Sequence, residues 1–321
     1  MSAIKILPAC KEYIWGGNKL RNYGITSSGS NIAEAWIFSY NENGLSTDEN
    51  GKILSNVLAK EDLGNKYFDF PFFPFLIKFI DANDNLSIQV HPSDDYALKN
   101  ENSFGKTEMW YILEAEEGSF LYLGLNDNYS PQEVENAIKN NTICDLLNKV
   151  PVKAGDCYFV ESGTIHAIGK GIVIIEIQQN SALTYRVYDY DRVDKNGNHR
   201  ELHVEKALKV INFNKFNPIN VKTNLLGTCK YFTVNKIESE KTISASEDAG
   251  VVITFIEGEG LIDGKPFKKG DTYFLKANKE NKRHITITKT LKKTLTPYFK
   301  CPLLSFFISL TSFLFSIKYF I

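Results

Sequence analysis

Short runs rich in Ile, Val, Phe and Tyr, separated by Gly, Asn and Asp, dominate the hydrophobic pattern of the chain: FPFLIKFI, LSIQVH, EMWYILEA, SFLYLGL, DCYFV, GIVIIEIQ and LTYRVYDY. Their length and punctuation predict the strands of an all-β sandwich or barrel. A helical period is confined to a few places. Ser130, Pro131 and Glu133 supply an N-cap, a first-turn proline and a capping-box acid, after which Val134, Ala137 and Ile138 share one face. A helical insert is therefore expected near 130–149, and a second helix at 203–210.

One pattern repeats. Lys153-Ala-Gly155-Asp156-Cys-Tyr158-Phe159-Val160 recurs as Lys268-Lys-Gly270-Asp271-Thr-Tyr273-Phe274-Leu275, and the segments before them, Ile112-Leu-Glu-Ala-Glu-Glu-Gly118 and Phe255-Ile-Glu-Gly-Glu-Gly260, match loosely. Each copy reads as a tight Gly-Asp turn entering a strand, so two related β-barrels are expected. The first is assigned residues 1–220 with the helical insert, and the second residues 221–290. Gly163-Thr-Ile-His166 follows the first copy, whereas Ala277-Asn-Lys-Glu280 follows the second. The second barrel is thus expected to be degenerate, lacking metal ligands.

Composition narrows the function classes. Lys and Arg number 37 against 38 Asp and Glu, for a net charge of -1, so the basic surface that nucleic-acid binding requires is missing. Cys10, Cys144, Cys157, Cys229 and Cys301 are odd in number and lack C-x-x-C spacing. They fit free thiols in a reducing compartment, none of them a metal ligand by spacing. The opening MSAIKILPACKEYIW lacks a basic stretch followed by an apolar run, so a cytoplasmic location is expected. Residues 291–321 depart from the rest, being Lys and Thr rich and then apolar, with no charge over 301–317. A spanning helix needs about 20 apolar residues. Membrane contact through 301–321 is therefore not favoured over a packed terminus or an altered reading frame that replaced the last strand.

Residues two apart on a strand face the same side. In Leu86-Ser87-Ile88-Gln89-Val90-His91-Pro92, the polar set Ser87, Gln89 and His91 alternates with Leu86, Ile88 and Val90. A polar inner face is costly unless something satisfies it. Gly105-Lys106-Thr107-Glu108 puts Lys106 and Glu108 on one side at the entry to another apolar strand, and His166 returns to the same barrel mouth. Gln89, His91, Glu108 and His166 together offer an amide oxygen, two imidazoles and a carboxylate. That set suits zinc, one divalent ion per chain, with a position left for water or substrate. Matching parity on successive strands favours it over isolated histidines and an exposed Lys106–Glu108 pair. His199 and His203 stand four apart, but the preceding Asn196-Gly197-Asn198 predicts a solvated helix start. Glu176 lies inside the apolar run 171–178, either a buried strand or an edge strand with an exposed acid. Arg186 and Arg192 offer rigid guanidinium forks for a phosphate or an oxyanion, or else structural salt bridges.

Together these motifs resemble type I mannose-6-phosphate isomerase (phosphomannose isomerase), short bacterial form, of the cupin superfamily. The resemblance covers roughly residues 1–279. It rests on Glu12-Tyr-Ile-Trp15-Gly16-Gly17-Asn-Lys-Leu20, Ala33-Glu34-Ala-Trp36, Gln89-Val-His91-Pro92, Gly105-Lys-Thr-Glu108, Gly163-Thr-Ile-His166-Ala-Ile-Gly169 and Thr184-Tyr-Arg186-Val-Tyr-Asp-Tyr-Asp-Arg192. It implies two cupin-type jelly-roll barrels, zinc at Gln89, His91, Glu108 and His166, and Arg186 at the family's essential arginine. Ser87, Lys106 and Glu176 match positions that line the family's substrate pocket. The implied reaction interconverts mannose 6-phosphate and fructose 6-phosphate, moving a proton between C2 and C1 through an enediol. A small-molecule sugar phosphate is then the partner. The candidate bases are Lys106, lowered by the nearby cation, and Glu176, raised by burial, with Arg186 stabilising the oxyanion.

Two departures from the family pattern bear on these expectations. Ala182 stands where the family has an acid four residues before its arginine; if that acid orients the arginine or assists proton movement, activity falls. The tail replaces a polar-alternating last strand, which would leave a sheet edge unpaired. An iron-dependent cupin dioxygenase would use only His91, Glu108 and His166, and Gln89, Lys106 and Arg186 argue against it. A non-catalytic sugar-phosphate-binding cupin is the other alternative, prompted by Ala182.

Overall fold

Three long strands, Phe75–Ala82, Glu108–Ala115 and Ile172–Gln179, form the middle of the molecule, with every residue of the first and third and the first five of the second buried. Even-numbered and odd-numbered positions go to different cores, as the two-residue period of a strand requires. Ile80, Trp110, Ile112, Ile172 and Ile174 pack inside the first barrel. Phe79, Met109, Tyr111, Val173, Ile175 and Ile177 pack on the other face, in a cluster that also takes Val234, Ile256 and Phe274 from the second barrel. This double burial explains why Ile172–Gln179 reads as an unbroken apolar run. The edge-strand reading of Glu176 is thereby corrected: the strand is central, paired with Phe75–Ala82 on one side and Glu108–Ala115 on the other.

The computed structural model describes residues 3–68, 70, 73–194, 196–277, 284–289 and 318–320. It is all-β, with short helices between strands. The first barrel faces a six-stranded sheet, in the order Cys157–Val160, Glu108–Ala115, Ile172–Gln179, Phe75–Ala82, Glu34–Phe38, Ala9–Lys11, against a five-stranded one. The order of the latter is Tyr185–Tyr188, Ile88–Val90, His166–Ile168, Phe120–Leu125, Leu147–Pro151. A seven-stranded and a four-stranded sheet form the second barrel around Ile253, Phe255, Tyr273, Leu275, Ile285 and Ile287. Ile4–Leu7 pairs there with Thr272–Leu275, so the start of the chain crosses the division drawn at residue 220.

The repeated motif has one geometry twice. Gly155 and Gly270 have φ of 90° and 89°. Asp156 and Asp271 accept through Oδ2 from the amides of Lys153 and Lys268, at 2.9 and 3.1 Å. Their carbonyls accept from the amides of Ile112 and Phe255 on the preceding strand.

The capping box at Ser130 and Glu133 forms, and Val134, Ala137 and Ile138 are buried. The helix spans Pro131–Lys139 and does not reach 149. Asn141, with φ of 58°, breaks it, a 3-10 turn follows at Ile143–Leu146, and Leu147–Pro151 is a strand. Val204–Leu208 is the second expected helix. Helix Asp94–Asn100 has no counterpart among the expected elements, although Ser93 and the first-turn acids Asp94 and Asp95 mark its start.

The edge expected to be bare is filled. Lys318–Phe320 pairs with Thr233–Ile237 on one side and Val251–Glu257 on the other. The apolar run 301–317 and the segment 278–280 lie outside the described residues. Among the described residues no helix is long and apolar enough to cross a membrane.

Candidate metal centre and substrate cavity

Strand register assembles two rows of polar side chains inside the first barrel. In the six-stranded sheet Trp36 stands opposite Lys78, Lys78 opposite Glu176, and Glu176 opposite Trp110. In the five-stranded sheet Arg186 stands opposite Gln89, and Gln89 opposite His166. Members of both rows line a cavity of about 610 Å³. Neighbours across strands are close enough to act as a unit.

His91, Glu108 and His166 converge behind the wall to which Glu108 belongs, with ligand atoms all within 4.8 Å of one another. Both histidines are turned the same way. His91 Nδ1 donates to the Leu183 carbonyl at 2.7 Å, and His166 Nδ1 to the Thr164 carbonyl at 2.8 Å. With Nδ1 protonated, each Nε2 presents its lone pair to the site, the arrangement that a metal-binding histidine needs. His166 Nε2 lies 3.3 Å from Glu108 Oε1, and His91 Nε2 3.7 Å from Glu108 Oε2. The Gln89 amide stands 3.4 Å from His166 Nε2, so the fourth predicted ligand is in the same place. Burial, then the Lys106 charge, lowers both imidazoles, His166 to about 4 and His91 well below its ordinary value. They are neutral at neutral pH, as ligands must be.

The donor set fits a divalent ion. Glu108 is 1% exposed, and among the described residues neither of its carboxylate oxygens accepts a hydrogen bond of good geometry. Lys106 Nζ stands 2.7 Å from its Oε2. Around the cavity three buried carboxylates, Glu34, Glu108 and Glu176, face two buried ammonium groups, Lys78 and Lys106. Burial and Glu176 disfavour the charged Glu108 carboxylate, and a dication at its oxygens would offset that cost.

The upward shift expected for Glu176 is reversed by these neighbours, and the carboxylates act on Lys106 in the sense opposite to a nearby cation. Burial alone would lower Lys106, but the carboxylates of Glu108, at 2.7 Å, and Glu176, at 3.3 Å, outweigh it and raise the ammonium above its ordinary value. Burial alone would raise Glu176, but Lys106 and Lys78 hold it below its ordinary value. Glu108 is the carboxyl pushed up, to about 8, by burial and by Glu176.

Residues 3–121 match the family described as phosphomannose isomerase type I, catalytic domain. Mannose-6-phosphate isomerase ManA of Bacillus subtilis is 38% identical over 287 residues, 84% of this chain and 91% of that protein. The chain belongs to the type I mannose-6-phosphate isomerase family. The enzyme named mannose-6-phosphate isomerase from Streptococcus mutans is likewise 38% identical, over 82% of this chain and 88% of that protein. A crystal structure of the Bacillus subtilis mannose 6-phosphate isomerase superposes with a TM-score of 0.80 at 32% identity, covering 100% of this chain and 99% of that one.

Ser87 and Arg186 also line this cavity. Arg186 Nε donates to Ser87 Oγ at 3.2 Å and its Nη1 to the Glu201 carbonyl at 2.8 Å, both uncharged partners. Ala182 lines the cavity too. Arg192 does not; it bonds Asp189 and the Asn85 carbonyl and is structural. His199 is exposed and His203 faces the Arg186 amide, so this pair makes no second centre. Residue-by-residue reading had no site role for Lys78, Glu34, Trp36 and Arg200, all on the cavity wall. Glu34 and Trp36 belong to a quoted motif, but nothing local marks Lys78, inside an apolar strand, or Arg200, on a loop.

Proposed function

We propose that the chain is a zinc-dependent isomerase interconverting mannose 6-phosphate and fructose 6-phosphate through an enediol. The observation that carries this reading is that Glu108, whose ligand atom lies within 4.8 Å of those of His91 and His166, lines one cavity with Gln89, Lys106, Glu176 and Arg186. Zinc held by Gln89, His91, Glu108 and His166 would supply Lewis acidity toward the oxygens on C1 and C2 of the open sugar.

Glu176 takes the carbon-bound proton in this proposal. It is buried, kept ionised by Lys106 and Lys78, and so is a base at neutral pH. Lys106, 3.3 Å from it, stays protonated and offsets the charge that develops on the substrate oxygens. Ser87 holds the Arg186 guanidinium toward the cavity, where it meets the anionic substrate. This excess of cations suits a sugar phosphate better than oxygen chemistry at iron.

The test is a coupled assay for fructose 6-phosphate, run on the enzyme as purified, after chelation and after zinc is restored. Turnover should be lost on chelation and recovered with zinc, and His166→Ala should lower kcat/KM by at least about a thousandfold. Bound iron with oxygen consumption would instead mark a dioxygenase. Binding without turnover would mark a sugar-phosphate binder, in which case Ala182→Asp is the variant to assay next.

A further inference from the structure

We propose that Arg200 is a specificity-determining residue of this site, closing with Arg186 on the phosphate of the substrate. The proposal rests on the isomerase reading above and adds a residue that neither the motifs nor the metal cluster includes. Arg200 lines the same cavity as Arg186. Its guanidinium is fixed from behind: Nε donates to Asp189 Oδ2 at 2.7 Å and Nη2 to Asp189 Oδ1 at 2.5 Å. Asp189 is only 6% exposed, so this fork is held in place.

Charge makes the pair an anion site. Asp189 also receives Arg192 Nη2 at 2.5 Å, so one buried carboxylate serves two guanidinium groups. Arg186, whose Nε and Nη1 bond neutral oxygens of Ser87 and Glu201, adds a further positive charge. Arg186 and Arg200 stand near enough that each charge disfavours the other, a repulsion that a bound dianion would remove. Two planar forks suit a phosphate, which accepts several N–H bonds at once. Glu108 and Glu176 repel the same group, so the arginines also decide which end of the sugar phosphate reaches Glu176 and Lys106.

Steady-state kinetics on the full-length zinc-loaded wild type, Arg200→Gln and Arg192→Gln test this, with inorganic phosphate as competitive inhibitor. Arg200→Gln should raise both KM for mannose 6-phosphate and Ki for phosphate by about tenfold or more, with kcat within roughly threefold. Arg192→Gln takes the other bond from Asp189 without removing a cavity cation and should leave both constants within about twofold. Unchanged constants in Arg200→Gln, or the same increase in both variants, would overturn the proposal. If Arg200→Gln does not fold, Arg200→Lys carries the test; keeping charge but losing the fork, it should still raise KM several-fold. If wild-type protein turns over no mannose 6-phosphate, the isomerase reading fails separately. Arg200 is then judged by thermal shift: stabilisation by inorganic phosphate that disappears in Arg200→Gln supports the clamp, and an equal shift in both sinks it.

Discussion

His166 carries a stability consequence of its own burial. The folded protein lowers it from 6.5 to about 4, so as pH falls the unfolded chain takes up the proton first. Its contribution is present in full above pH 6.5, declines down to about pH 4 and is constant below that. At ~1.4 kcal/mol per pH unit the loss is on the order of 3 kcal/mol. Glu108, pushed up to about 8, acts in the opposite direction as pH rises. The stability difference between chelated wild type and His166→Gln isolates the histidine. Followed by urea unfolding, that difference should shrink by up to about 3 kcal/mol from pH 6.5 to 4; a difference independent of pH would contradict a buried neutral imidazole. At this scale the sequence shows which side chains share a face, because Ser87, Gln89 and His91 alternate with apolar neighbours. The direction of the Lys106 and Glu176 shifts was not legible, since it depends on burial and on which carboxylates and ammonium groups separate strands bring together.

Each Gly-Asp turn is a local element, yet the two copies differ in what surrounds them. At Gly155 an added Cβ would have Tyr111 Oη as its nearest neighbour, at 3.8 Å, whereas at Gly270 it would lie 1.8 Å from the Tyr23 carbonyl oxygen. Both positions have φ near +90°, where an L side chain is strained by about 1–2 kcal/mol. Gly155→Ala should cost that amount in urea unfolding. Gly270→Ala should cost at least about 3 kcal/mol, because backbone must also move; equal costs would mean that Tyr23 does not dock on the turn. Strands and turns were readable here because pleat, glycine conformation and Asp-to-amide bonds involve residues a few apart. The early end of the helix at Lys139 was not, since Ile143 and Leu146 prolong the apolar spacing while Asn141 leaves the helical backbone conformation.

At the scale of the whole molecule, the two barrels share one apolar cluster, and strands from both ends of the described chain enter the seven-stranded sheet. Lys318–Phe320 fills a slot between Thr233–Ile237 and Val251–Glu257. Deleting residues 318–321 should expose two edges, lower the melting temperature by several degrees in calorimetry and promote association. Isomerase turnover at 25 °C should stay within about twofold, because first-barrel side chains line the cavity; unchanged melting would show that this strand adds no pairing. The sequence by itself determined the all-β class, the repeated turn, the shared parity of the candidate metal ligands and the family, because each is written in short-range spacing or in contiguous motifs. Only the tertiary structure decided that Glu176 meets Lys78 and Lys106, that Arg200 reaches the wall beside Arg186, and that the first strand joins the second barrel. Those contacts join residues far apart along the chain, and strand pairing and packed cores, not any local preference, bring them together.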